Sequence, residues 1–381
     1  MQTLSDKSIS WLSESVFPLW LNKGFNSASG VFIESITSEF QPTTTSRRAM
    51  VQARQIYSIT EALKMKILSS DIVIPIIEKA TSNLLQSYSL SSGAFLHSID
   101  SRGEPDNLQS ELYTQAFVLF GLARSFELIK FDSYKKRALE LVNYLNSERK
   151  APHGGYTEIK NGQIVFQSNP HMHLFEAAIE WARVDNNPVW KSLCVDLFKL
   201  CKLHFIDHKT GLLAEHFDIE WKPLLENNRF IFEPGHQYEW AWLLIQFEKI
   251  CGTEVGTLPE QLFRNGEHSG IKKPEGLVFD EIWSDHQIKK ASSKFWPQSE
   301  RVKAALALGL RSSNSERNKH IKASDEAMNA LWIFLDNAPK GLWLESKFED
   351  GSFSRQDAKA SSLYHIINAM SEYALKRSLL D

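Results

Sequence analysis

The most specific chemistry in the chain sits in two short motifs, His173-Leu-Phe-Glu176 and His236-Gln-Tyr-Glu239. Residues three apart on a helix share one face, so each glutamate can orient its histidine, or both can grip one ligand. A carboxylate neighbour raises imidazole basicity, which suits a general acid or base working near neutral pH. One such motif alone is explained by a satisfied core histidine; its recurrence favours a functional role. Arg54, in Val51-Gln-Ala-Arg54, can clamp a hydroxyl pair or a developing oxyanion through its planar fork. A buried ion pair to Glu176 or Glu239 is the equal alternative. Trp296 in Trp296-Pro-Gln-Ser-Glu300 reads as a sugar-stacking platform or as a core aromatic, and Tyr113 and Trp240 share that ambiguity. His171 and His173, two apart, point to different helix faces, and no HExxH or supporting Asp/Cys cluster accompanies them, so no metal is expected.

These residues need a scaffold, and the sequence supplies a repeat. A glycine followed by apolar or aromatic residues, often with an acid behind, recurs at Gly30-Val-Phe-Ile-Glu34, Gly93-Ala-Phe-Leu-His97, Gly154-Gly-Tyr-Thr-Glu158, Gly211-Leu-Leu-Ala-Glu215, Gly276-Leu-Val-Phe-Asp280 and Gly341-Leu-Trp-Leu-Glu345. The glycines are 63, 61, 57, 65 and 65 positions apart. Within a unit the periodicity is helical. Leu112, Ala116, Leu119, Ala123 and Phe126 step by three and four, and after Lys130-Phe131-Asp132 a second set follows at Ala138, Leu141, Val142 and Leu145. Asp132 or Ser133 is placed to cap that second helix. Each unit is therefore two antiparallel helices with a short β-hairpin loop, and the chain is all-α. Arg54, Gln115, His173, His236, Glu300 and His365 fall 19 to 25 positions after their glycines, each opening an apolar helix. In a closed ring of six hairpins they converge on the axis at the loop-bearing end. An open solenoid scatters them. That register is what marks His365, which lacks an acid three residues on, as more than a core histidine.

Composition narrows the function classes. With 43 basic and 46 acidic residues and a net charge of −3, there is no basic face for nucleic acid and no polybasic membrane patch. The N-terminus shows no signal-peptide pattern and no stretch reaches the length of a membrane span, so the expected location is cytoplasmic. Cys194, Cys201 and Cys251 lack metal or disulfide spacing. The 11 tryptophans suit a large core or a sugar-stacking pocket. No dinucleotide, P-loop or serine-hydrolase motif occurs. One domain over residues 1–381, acting as a monomer or homodimer on a small molecule without a cofactor, is the expectation.

The repeat together with Val51-Gln-Ala-Arg54, Asn169-Pro-His-Met-His-Leu-Phe-Glu-Ala177, Pro234-Gly-His-Gln-Tyr-Glu-Trp-Ala-Trp-Leu-Leu244, Trp296-Pro-Gln-Ser-Glu300 and Ser362-Leu-Tyr-His365 resembles the N-acylglucosamine 2-epimerase family over nearly the whole chain. The resemblance implies an (α/α)6 barrel and metal-independent proton transfer at C2 of an aldose. It makes His365, His236 and Arg54 the catalytic residues. His173, Glu176, Glu239, Trp296, Glu300, Tyr113 and Gln115 are then the substrate-binding set. The Trp-Ala-Trp and Ser-Leu-Tyr-His stretches look more like the mannose isomerase group, which points to mannose–fructose interconversion. N-acylglucosamine or mannose 2-epimerisation, and mannose 6-phosphate isomerisation with Arg47, Arg48 or Lys359 reaching the phosphate, are the alternatives. Thr114 stands where the family usually has an acid. An (α/α)6 glycoside hydrolase needs two carboxylates flanking the bond, whereas histidines hold three of the ring positions here.

Overall fold

The computed structural model describes residues 2–380. A leading helix, α1 (Leu4–Trp11), runs through a π-helical stretch (Leu12–Val16) into α2 (Phe17–Lys23). Five helix pairs follow: α3 (Ala49–Lys64) and α4 (Ser70–Ser87), α5 (Leu112–Ile129) and α6 (Asp132–Glu148), α7 (Ser168–Val184) and α8 (Pro188–Leu200), α9 (Pro234–Cys251) and α10 (Leu258–Ser269), α11 (Trp296–Arg311) and α12 (Asn314–Asp336). Helix α13 (Ala360–Lys376) completes the set. Helices α3, α5, α7, α9, α11 and α13 each pack on the next, and α13 packs back on α3, so the inner ring is closed and the solenoid is excluded.

Sequence pattern separates the two layers. Inner α3 is buried continuously from Ala49 to Ala62, as a helix packed on every side must be. Outer α4 buries only Val73, Ile77, Ala80, Thr81 and Leu84, a single stripe facing the ring. Small residues set the spacing of the inner ring: a side chain at Gly121 of α5 would meet the Ala53 backbone of α3 at 2.9 Å. Most tryptophans serve the core, with Trp181 and Trp190 stacked at 4.7 Å between α7 and α8, and Trp20 on Trp343 at 4.9 Å. The second helix of the second unit begins at Asp132 itself, so Phe131 takes the capping position and Asp132 contributes its charge in the first turn.

All six repeat glycines have positive φ, from 73° to 93°, a region costly for any residue with a Cβ. At Gly30 a side chain would also lie 2.6 Å from the Lys79 carbonyl oxygen. After each glycine the chain forms sheets of two or three short strands. Besides hairpins, these strands stitch neighbouring units: Arg47–Arg48 pairs with Ser98–Ile99, and Ala358–Lys359 with Ser35–Ile36, which joins the last unit to the first. Among the described residues no helix is long and apolar enough to cross a membrane.

Candidate active site

Two recurring contacts fix the N-terminal ends of the inner helices. A glutamine strut grips the backbone two residues after the repeat glycine. Gln52 bonds both the N–H and the carbonyl of Phe32, at 2.8 and 2.9 Å, and Gln115 does the same to Phe95, at 2.8 Å each. Gln237 holds the Leu213 carbonyl at 3.0 Å, and Gln298 accepts from the Val278 N–H at 3.1 Å. In the third unit His171 replaces the glutamine, its Nε2 accepting from the Tyr156 N–H at 2.9 Å. Its Nδ1 then donates to the Gln167 carbonyl at 2.8 Å, so this imidazole is fully occupied. The second contact is the acid four residues after the glycine. Glu158 accepts from the Leu112 and Tyr113 N–H groups at 2.7 and 3.0 Å, and Asp280 and Glu345 accept from the Lys294 and Lys359 N–H groups at 2.9 and 3.2 Å. Carboxylates there satisfy orphan donors and complement the helix dipole.

Two residues past the struts, the inner helices bring Arg54, Phe117, His173, Glu239 and Glu300 to one level around the axis, and His365, as far from Gly341 as Arg54 is from Gly30, joins them in a unit without a strut. A cavity of about 380 Å³ opens above them, lined by Arg54, Tyr113, His173, His236, Glu239, Trp296 and His365 among others. Two expected members lie behind the wall. Glu300, fully buried, accepts a 2.8 Å hydrogen bond from His365 Nδ1, and Glu176 receives the Tyr364 hydroxyl and lies 3.4 Å from His173 Nδ1. Gln115 is a correction. It is a strut with no face on the cavity, and Phe117 holds the axial position of its unit, because backbone groups of a buried loop outcompete a distant ligand for the amide. Thr114 is buried away from the cavity as well.

The partner of His236 also differs from the i, i+3 expectation. Its Nδ1 donates to Glu215 at 2.9 Å, with Glu233 at 3.9 Å, rather than to Glu239. Burial alone pushes this imidazole down, but Glu215 and Glu233 outweigh burial and hold it at about 10, so it is an imidazolium at neutral pH. For His365 burial wins over Glu300 and takes it down to about 4. His173 is pushed below its usual value by burial and by the Arg54 cation. The Trp296 ring packs against both of these unlike histidines, 5.1 Å from His236 and 5.8 Å from His365, and Gly235 makes room for it. Arg54 donates to the Ser361 carbonyl at 3.1 Å and to the Tyr113 hydroxyl at 2.6 Å, and lies 4.1 Å over Phe117. Its Nε has no partner and, among the described residues, no carboxylate pairs with it, so the ion-pair alternative fails.

Lys303, absent from the sequence reading, is fully buried beneath the site, 2.6 Å from Glu300 and 4.1 Å over the Trp242 ring. Its charge bears on Glu239 and Glu176 too, so an ammonium already supplies the cation that His173, Glu176 and Glu239 are spaced to share. Glu215, also missed, was visible as the acid of the fourth repeat. The opposite end of the ring holds a larger cavity, about 590 Å³, but its charges cancel: Arg124 pairs with Glu61, Glu127 and Glu180, and Arg183 with Glu127 and Glu180.

The comparisons with known proteins bear on the family and the fold. A mannose-6-phosphate isomerase of Rhizobium meliloti (strain 1021) is 31% identical over 370 residues, spanning 95% of this chain and 94% of the relative. Among solved structures, a cellobiose 2-epimerase from Bacillus thermoamylovorans B4167 superposes with a TM-score of 0.85 at 17% identity, over 98% of this chain and 100% of that one. A D-mannose isomerase gives 0.83 at 18%, over 99% and 98%. The family model for N-acylglucosamine 2-epimerase (GlcNAc 2-epimerase) matches residues 30–369, and the chain belongs to that family as an (α/α)6 barrel.

Proposed function

We propose that the protein interconverts an aldose and a ketose by proton transfer between C2 and C1 of a mannose-configured hexose. The observation that carries this reading is a pair of cavity histidines packed on one tryptophan, each bonded through Nδ1 to a different buried glutamate, with burial lowering His365 and Glu215 raising His236. Hydrogen bonding of His365 Nδ1 to Glu300 leaves Nε2 with its lone pair free, the form a base requires. His236, held as an imidazolium by Glu215, is the matching acid. In this mechanism His236 assists ring opening by giving its proton to the ring oxygen and taking the proton of the O1 hydroxyl, which restores the imidazolium. His365 then takes the C2 proton, and the electron pair moves into an enediolate whose oxygens face Arg54 and His236. His365 returns the proton to C1, while the O2 proton passes to O1 by way of His236. The buried guanidinium without a counterion suits the developing negative charge.

A C2 epimerase needs a second base on the opposite face. His173, a neutral imidazole in the cavity wall, is the residue that favours that second reading. Glycosidic cleavage is less well served, because Glu239, Glu233 and Glu345 in the wall are all pushed toward their neutral forms by burial. The test is proton NMR in D2O with D-mannose, free and phosphorylated, beside N-acetylglucosamine. A ketose carrying deuterium at C1 is expected, and a product deuterated at C2 with the aldehyde retained shifts the assignment to epimerisation. Unchanged spectra for all three sugars sink both.

A further inference from the structure

The residues that lead into the inner helices are not alike around the ring. Glu111 and Gln167 precede α5 and α7, and Glu233 precedes α9. Lys294, Lys359 and Arg48 lead into α11, α13 and α3, which are consecutive in the ring, and all three line the cavity. One side of the mouth is therefore basic. Arg48 is spent on Glu34, at 2.8 Å. The two lysines are not. Among the described residues the Lys294 ammonium has no hydrogen-bond or ion-pair partner, and that of Lys359 reaches only the Gln356 side-chain oxygen, at 2.8 Å. Their backbones are nonetheless fixed. The Lys294 N–H is held by Asp280 and its strand pairs with Ser346, while the Lys359 N–H is held by Glu345 and its strand pairs with Ser35.

The carboxylates facing these lysines do not cancel them. Glu345 spends its oxygens on the Lys359 N–H and the Ser362 hydroxyl, and burial pushes it toward the neutral form. Glu233, at about 7, is likewise raised by burial. Deeper in the cavity the charges are Arg54 and His236, which the isomerase reading assigns to the oxygens on C1 and C2. A protein of net charge −3 thus keeps a positive cavity whose outer two cations have no role in the enediolate. A lysine ammonium is a compact point charge suited to phosphate, and the N-termini of α11 and α13 add to its field.

We infer that Lys294 and Lys359 form a subsite for a phosphoryl group on the end of the hexose remote from C1, so that the preferred substrate is an aldohexose 6-phosphate. The inference rests on the isomerase reading for the sugar's orientation. It is tested by measuring kcat/KM for mannose and mannose 6-phosphate in the unaltered protein and in Lys294→Met and Lys359→Met. The phosphosugar should be preferred, and each variant should shrink that preference by about 10- to 100-fold, the range for losing one charge-assisted contact. Preference for mannose in the unaltered protein, or an unchanged ratio in both variants, overturns the subsite while leaving the isomerase reading standing. Calorimetry with mannose 6-phosphate separates the other case. Lysine-dependent binding without turnover keeps the subsite and removes the isomerase reading, and neither binding nor turnover removes the subsite.

Discussion

His236 and His365 share one tryptophan yet differ in charge because their carboxylates sit in different company. Glu215 is helped by Glu233, whereas Glu300 is shared with the buried ammonium of Lys303. The pH dependence of kcat/KM follows from that difference. The proposed mechanism needs His365 neutral and His236 charged, so the profile should be a broad plateau with an acid limb toward pH about 4 and a basic limb toward about 10. Since Glu300 raises His365 against burial, Glu300→Gln should move the acid limb to lower pH. It should also lower kcat by about 100-fold or more, as the base loses its orienting acceptor. Steady-state rates from pH 4 to 9 with melting curves beside them check this, and an acid limb that stays put detaches Glu300 from His365. Much of this site was legible in the sequence: Arg54, His173, Glu239, Trp296 and His365 all reach the cavity. The partners were not legible. Glu300 lies 65 positions before His365 and Glu215 lies 21 before His236, so spacing along one helix could not find them. Lys303, three residues after Glu300, has the look of a solvated helix cation in sequence alone, and only the closed ring buries it.

At the level of elements, the repeat was readable because each of its six loops takes a positive φ that glycine adopts without steric cost, so one residue type recurs at the same point of every unit. The axial register was readable only in part. Gln115 and Phe117 compete for the second unit, and a choice made on polarity picks the strut over the residue that faces Arg54. His236 sits a turn before the axial position that Glu239 holds, which lets it meet a carboxylate from the loop instead of one from its own helix. Helix packing also sets Trp296: a Cβ on Gly235 of α9 would come within 2.5 Å of its indole. Gly235→Ala therefore pushes the ring of Trp296 out of its place against the two histidines. The backbone of Gly235 is ordinary helix, so the fold should survive with a loss of about 1–3 kcal/mol, the usual cost of overpacking. kcat/KM should fall by about 10- to 100-fold, since misplacement on the ångström scale is that costly. Kinetics and thermal unfolding of the variant decide it, and unaltered kinetics would mean that the indole does not position the sugar.

The whole barrel holds several ionisable groups in states they do not adopt in an unfolded chain, and this sets its stability against pH. His171 and His365 have folded values of about 4 against 6.5 when free, and His173 is lowered too. A lowered histidine means that the unfolded chain binds the extra proton first, so stability is lost as pH falls below about 6.5 and the loss is complete below about 4. His236 acts in the opposite sense. With its folded value at about 10, its contribution is whole below 6.5 and is lost as pH rises through 10. The melting temperature should therefore peak near neutrality and fall on both sides. The acid side can be assigned to a residue, because His171 occupies a position where four other units use glutamine to grip the same loop backbone. Gln at 171 can accept from the Tyr156 N–H without titrating. His171→Gln should then match the parent near pH 7.5 but exceed it at pH 5 by about 2 kcal/mol. For a chain of this size that is about 2 °C in melting temperature. Calorimetric scans of both proteins across that range measure it. Parallel curves would show that His171 is not a source of the acid sensitivity, and a variant that melts lower at every pH would show that the imidazole packs against Trp221 and Phe205 in a way the amide cannot replace.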